Sequence, residues 1–185
     1  IEKEKIEQNS DAPVLEQKQI LAQVSREEAL NESERIKFEN LNIEGSISLK
    51  GAAIDDLTFK NYNVELGGSK KVTLLGPRNI KDGYLIESGF VSSDKNIDIP
   101  NSETIWTLEG NRKLTESSPI KLSWTNDQGI TFEKKISLDD KYLFSIKQSV
   151  KNSTDKKYDF YSYGQIIRNE IPDIIDFLIL HEGLI

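Results

Sequence analysis

The stretch IKLSWTNDQGITFEKKIS, residues 120–137, decides the fold. Ile120, Leu122 and Trp124 alternate with Lys121 and Ser123, Asn126-Asp127-Gln128-Gly129 supplies turn chemistry, and Ile130-Thr131-Phe132 resumes the alternation. A side-chain period of two with one apolar and one polar face is a half-buried strand. Two such runs across a short Asn/Asp/Gly loop predict an antiparallel hairpin. Outward from it, the same period recurs in Ser46-Ile47-Ser48-Leu49 and in Phe144-Ser145-Ile146, part of a strand expected from Tyr142 to Val150 after a turn at Asp139-Asp140. Turn residues punctuate the intervals at Gly67-Gly68, Gly76-Pro77, Asp82-Gly83, Asn101-Ser102, Gly110-Asn111 and Asn152-Ser153. About ten to fourteen strands in roughly 150 residues, with no alternating helices, predict an all-β fold, a large twisted antiparallel two-sheet β-sandwich with few short helices. Alternation turns Ile47, Leu49, Leu122, Trp124, Phe132, Phe144 and Ile146 inward.

Composition removes whole classes of function. The chain has 185 residues, and 24 Lys and Arg against 31 Asp and Glu give a net charge of -7, so it lacks the basic footprint that holds a phosphate backbone, and no nucleic-acid partner is expected. No apolar run approaches the roughly 18 residues of a membrane span. The best candidate, Ile174 to Leu180, is short and broken by Asp176. Without cysteine there are no disulfides, thiolate zinc sites or cysteine nucleophiles. With one histidine, His181, neither a His-pair metal site nor a His-dyad acid/base centre can be built, so no catalytic residue, cofactor or metal is expected. The absence of methionine, position 1 included, predicts a piece of a longer chain.

Two regions differ in chemistry. Residues 1–34 hold nine acids, four bases and no aromatic residue, a composition that does not bury enough apolar surface to offset chain entropy. They read as a charged tether, flexible or weakly helical where Ile20, Leu21, Val24, Ala29 and Leu30 approach helical spacing beside Ser25, Arg26, Glu27 and Glu28. Residues 35–185 carry every aromatic side chain and read as the sandwich domain.

Ordered blocks through that second region carry a resemblance. They are GSISLKGAAIDDLTFKNY (45–62), VTLLGP (72–77), YLIESGF (84–90), IPNSETIWTLEGNRKLTESSPIKLSWTNDQGITFEKKISLDDKYLFSIKQSVKN (99–152), YSYGQIIRNEIP (161–172) and FLILHEGLI (177–185). Together they resemble the first periplasmic domain of the YidC family, the inner-membrane protein insertases of Gram-negative bacteria. The resemblance implies a super-sandwich similar to galactose mutarotase-like folds. It implies a place on the periplasmic side of the inner membrane, within a parent chain that spans it and that inserts and helps fold membrane proteins, alone or with the Sec translocon. The implied partners are SecD and SecF, SecYEG and nascent membrane proteins, with the domain itself a non-catalytic protein-interaction module. None of the family's membrane groove matches a position here, and Leu184 stands where related chains commonly have proline.

Within that frame the exit segment is the candidate for partner contact and coupling. Ile174, Ile175, Phe177, Leu178, Ile179 and Leu180 group around one acid, followed by His181 and Leu184, so an ordered, buried exit is expected to fix the domain's orientation. Net charge predicts that the domain stands off an anionic bilayer. The alternative reading is a carbohydrate- or peptidoglycan-binding sandwich, with Trp106, Trp124, Tyr161 and Tyr163 as a stacking platform, although register favours the core for Trp124. Asp55-Asp56 and Asp139-Asp140 read as turn or strand-end chemistry, because neighbours in a strand point to opposite faces. Gly67-Gly68 and Gly76-Pro77 lack the helix and Lys-Ser/Thr of a phosphate cradle and read as turns.

Overall fold

The computed structural model describes residues 24–170. A helix α1 (Arg26–Asn31) precedes eleven strands: β1 (Arg35–Glu39), β2 (Ile43–Ser48), β3 (Ile54–Asn63), β4 (Lys71–Leu75), β5 (Tyr84–Ser92), β6 (Thr107–Glu109), β7 (Lys113–Leu114), β8 (Ile120–Thr125), β9 (Ile130–Leu138), β10 (Phe144–Asn152) and β11 (Phe160–Arg168). Seven strands form one sheet, ordered β11-β5-β3-β2-β1-β7 with β4 also on β3, and four form the other, ordered β10-β9-β8-β6. The two sheets make the expected sandwich. One pairing departs from the antiparallel expectation, since β7 runs parallel to β1 over Lys37–Lys113 and Phe38–Leu114.

The 120–137 hairpin forms as β8 and β9, with Trp124 opposite Phe132 and Ile120 opposite Ile136. Its turn is held by Asn126, whose Oδ1 accepts from the backbone N–H of Gln128 and Ile130 while Nδ2 donates to the Asp98 carbonyl. Gly129 takes φ +83°, a conformation cheap only for glycine.

The core lies between the sheets. Phe90 of β5 meets Phe132 of β9 at 5.0 Å between ring centroids, and Phe38 of β1 meets Phe144 of β10 at 5.0 Å, edge to face. Ile47, Leu49, Leu122 and Phe132 are fully buried there, as alternation requires. Trp124, Phe144 and Ile146 are half-buried against the same cluster. The outer face of the four-stranded sheet is polar instead: Lys121 bridges Glu109 at 2.9 Å and Glu133 at 2.8 Å, and Lys151 reaches Glu133 at 2.7 Å. Hydrogen bonds from those two lysines hold the Glu133 carboxyl down at about 2.

Asp55 and Asp56 stand at the start of β3, in keeping with the turn or strand-end reading, but the expectation that the two carboxylates point apart is corrected. Ser46 pairs with Asp56 but Ile47 pairs with Ile54, so Asp55 is the extra residue of a β-bulge. The bulge brings both carboxylates into one network. Arg35 pairs with Asp55 and donates Nε to Ser46 Oγ at 2.7 Å, and Ser46 Oγ donates to Asp56 at 2.6 Å. Gly45 is what the bulge demands of β2, because a Cβ there would fall 1.9 Å from the Asp56 carbonyl oxygen. Asp139 behaves as expected, accepting from the Lys141 and Leu143 N–H groups in the β9–β10 turn.

Of the segment read as a tether, residues 1–23 lie outside the described residues. The remainder docks on the seven-stranded sheet. Ser25 and Glu28 close a capping box on α1. Ala29 is buried, Arg26 donates to the Leu75 carbonyl at 2.9 Å and pairs with Asp56, and Ser33 Oγ meets Ser48 Oγ at 2.8 Å. At the other end, Asn169 follows β11 as a clasp: its backbone N–H donates to Gly83, and its side-chain amide donates to the carbonyls of Arg78 and Ile80. Among the described residues no helix is long and apolar enough to cross a membrane.

Candidate functional site

Strand β9 sends Ile130, Phe132, Ile136 and Leu138 into the core, and the same period places Lys134 in that row. Its side chain is 1% exposed. A buried ammonium requires acceptors, and the fold supplies one through a gap in the larger sheet. Strand β3 meets β5 only at Ile54–Ile86, so Ser88, two residues further along β5, has no β3 partner. Lys134 Nζ donates to the Ser88 carbonyl at 2.5 Å and sits 4.7 Å from the centroid of the Trp106 ring. Lysine thus fills a place that a neighbouring strand would occupy, tying the two sheets together.

Around this point lies a small hollow lined by Gly51, Glu87, Gly89, Ser102, Trp106 and Tyr163, among others. Its free interior is about 10 Å³, at the lower limit for one water molecule. Glu87 pairs with Arg78 and accepts from Gln165 Nε2 at 3.0 Å. Tyr163 lies over Gly89, where a Cβ would come within 2.6 Å of its ring. Burial, and then the Glu87 charge, pushes the Tyr163 phenol up. Among the described residues two buried side-chain polar atoms have no protein partner, Trp106 Nε1 and Gln148 Oε1, the latter on β10 directly opposite Lys134. The cluster can position a lysine and one small polar guest. It has no room for a sugar ring.

Desolvation depresses the Lys134 ammonium to about 8, opposed by the Glu87 charge. The folded chain therefore binds fewer protons at Lys134 than the unfolded chain does between about pH 8 and the ordinary lysine value. Stability rises with pH through that window, and the contribution is lost as pH falls through 8. Lys134→Met removes the titration. Wild type is expected to gain roughly 3 kcal/mol on the variant as pH rises from about 8 to 10.5. Urea melts of both proteins at matched pH check this, and parallel pH profiles would refute it.

Of the residues proposed from sequence as a stacking platform, Trp106 and Tyr163 line the same small hollow, but the four do not form one open face. Trp106 is buried at 2% exposure beneath Lys134, and Trp124 is half-buried against Phe132 at 5.9 Å. Tyr161 and Ile166 are exposed on β11, the terminal strand of its sheet among the described residues. The coupling candidates Ile174, Ile175, Phe177, Leu178, Leu180, His181 and Leu184 lie outside the described residues. Sequence reading missed Lys134, although the alternation of 130, 132, 136 and 138 marks its position as interior.

A family model described as YidC periplasmic domain matches residues 35–185, through both sheets. A protein named Membrane protein insertase YidC from Pelagibacter ubique (strain HTCC1062) is 61% identical over 184 residues, covering 100% of this chain and 33% of the relative. Proteins of the same name from Mesorhizobium japonicum and Rhizobium meliloti are 39% and 41% identical over 161 and 162 residues, covering 86% and 87% of this chain and 27% of each relative. The chain thus spans a third or less of the length of these relatives. The match takes in every strand, including the hairpin, the bulge and Lys134, and the chain belongs to the YidC periplasmic domain family.

Proposed function

We propose that this chain is the periplasmic interaction domain of a longer inner-membrane insertase that inserts and helps fold integral membrane proteins. It serves as a docking module for nascent membrane proteins and for Sec components, SecD and SecF foremost and SecYEG with them, and performs no catalysis. The supporting observation is the family match across the whole sandwich, together with relatives named insertase that are about three times as long. Strand β11, at the edge of its sheet among the described residues, suits this role, since a 9-residue edge strand can accept an extended segment by main-chain pairing. The exit from Ile174 to Leu184 belongs to the same proposal as the element that orients the domain over the membrane. With the 185-residue chain as bait in detergent-solubilised inner membranes, SecD and SecF are expected among the retained proteins, and a glycan array is expected to stay blank. Glycan binding without retained membrane proteins would overturn the reading in favour of a carbohydrate module.

A further inference from the structure

One end of the sandwich is built from three turns: 40–42 between β1 and β2, 64–70 between β3 and β4, and 139–143 between β9 and β10. Side-chain amides stitch the first and third turns together and tie the first to β3, which leads into the second. Asn40 Nδ2 donates to the carbonyls of Asp139 and Lys141, Asn42 Nδ2 to that of Asp140, and Asn61 Nδ2 to Asn42 Oδ1. With their polar needs met sideways, the turns carry apolar side chains into solvent. Six of the twelve large apolar residues exposed among the described residues are here: Leu41, Tyr62, Val64, Leu66, Tyr142 and Leu143. Leu66, at the hairpin tip beside Gly67 with φ +77°, is fully exposed, and Leu41 is 79% exposed. Phe59 anchors the tyrosines from below, at 5.5 Å to the Tyr62 ring and 5.9 Å to the Tyr142 ring.

Charge separates this end from the rest of the chain. Lys60, Lys70, Lys71 and Lys141 stand there against Glu39, Glu65, Asp139 and Asp140, a balanced end in a chain of net charge -7. Lys60 is paired with Glu39, whereas Lys70 and Lys141 make no ion pair among the described residues. Shape decides the occupant. A protein helix needs a groove, and separate leucine tips on convex turns do not form one. A fluid bilayer closes around each tip, takes tyrosine at headgroup level and attracts lysine when it holds anionic lipid.

We propose that this end of the sandwich is a membrane-surface contact, with Leu41, Leu66 and Leu143 entering the boundary between headgroups and acyl chains. The stitched asparagines order the 40–42 and 139–143 turns in advance, and the backbone bonds Val64–Lys70 and Gly68–Glu65 hold the 64–70 turn, so contact does not have to order them. The repulsion expected from net charge applies to the body of the domain; the balanced tip, where Lys70 and Lys141 make no ion pair among the described residues, does not share it. The contact is separate from the choice of protein partner.

The test is co-sedimentation of the 185-residue chain with vesicles of phosphatidylethanolamine and a minority of phosphatidylglycerol. The triple variant L41D/L66D/L143D should lose partitioning by about tenfold or more. Its melting temperature should match that of wild type, since all three side chains are exposed. A separate Leu66→Trp reporter should blue-shift on vesicles and be quenched by brominated acyl chains. Absence of wild-type partitioning, equal partitioning of the triple variant, or an unquenched reporter would each overturn the proposal. Loss of capture of a solubilised membrane protein by the triple variant, with wild type indifferent to vesicles, would assign the patch to a protein partner instead.

Discussion

Trp106→Ala is expected to destabilise the domain by about 3–5 kcal/mol, the cost of emptying a large aromatic site in a core that cannot fully collapse. Trp106 is 2% exposed. Its backbone N–H ties the 101–106 loop to the Leu49 carbonyl at 2.8 Å, and its ring carries the Lys134 ammonium. Alanine therefore removes contact area and also leaves a buried charge without the face that partly replaces its water. Trp124→Ala should cost clearly less, about 1–3 kcal/mol, because that side chain is half-buried and its loss opens toward solvent. Urea unfolding followed by far-ultraviolet circular dichroism orders the two variants. Equal losses, or a larger loss at Trp124, would show that core and periphery have been assigned the wrong way round.

Arg35→Ala is the second large effect, again about 3–5 kcal/mol, and it has a different physical origin. The side chains of Arg35 and Asp55 are 11% and 10% exposed, so removing one partner strands the other charge in a poorly solvated place. Burial already pushes the Asp55 carboxyl up, with Arg35 opposing it. Without the guanidinium it rises further. A carboxyl whose folded value is raised gives up stability as pH climbs through that value and regains it when protonated at low pH. The deficit of the variant against wild type should therefore be largest at neutral pH and shrink toward pH about 4. Adding Asp55→Asn should recover most of the loss at pH about 7. A deficit below about 1 kcal/mol, or one that does not depend on pH, would mean that the pair is solvated and of surface strength.

Much of this architecture can be read from residue order, and the limits have physical causes. The β8–β9 hairpin is legible because its period, its turn chemistry and its register are all local; Trp124 opposite Phe132 follows from loop length alone. The Asp55 bulge is not, because a bulge is a property of two strands and only the pairing with Ser46 and Ile47 defines it. The parallel β1–β7 contact joins segments far apart in the chain over two residue pairs, too few to leave a pattern. Ser25 and Glu28 announce α1, yet the surrounding acidic composition hides that Ala29 and Arg26 face a docking surface. For Lys134 the register was visible, and charge overruled it; the acceptor that makes its burial tolerable, the Ser88 carbonyl, belongs to another sheet. The exposed tip escaped notice for the opposite reason. Leu41, Leu66 and Leu143 are dispersed singly along the sequence, and only the lateral hydrogen bonds of Asn40, Asn42 and Asn61, with the β3–β4 pairing, gather their turns at one end.

The clasp at Asn169 has a mechanical meaning. Strand β11 is the last of its sheet among the described residues, and tension applied at Glu170 meets Asn169 and Arg168 before any other of those residues. A bare antiparallel edge loaded at its end unzips one pair at a time, beginning here with Arg168–Tyr84. Asn169 interposes three hydrogen bonds, to Gly83, Arg78 and Ile80, all on the β4–β5 connection rather than on the ladder. Their acceptors are spread over one compact loop, so they share the load in parallel instead of failing in series. The clasp thus works as a strain relief that shields the β5–β11 seam, and with it the gap filled by Lys134, from pulling at Glu170.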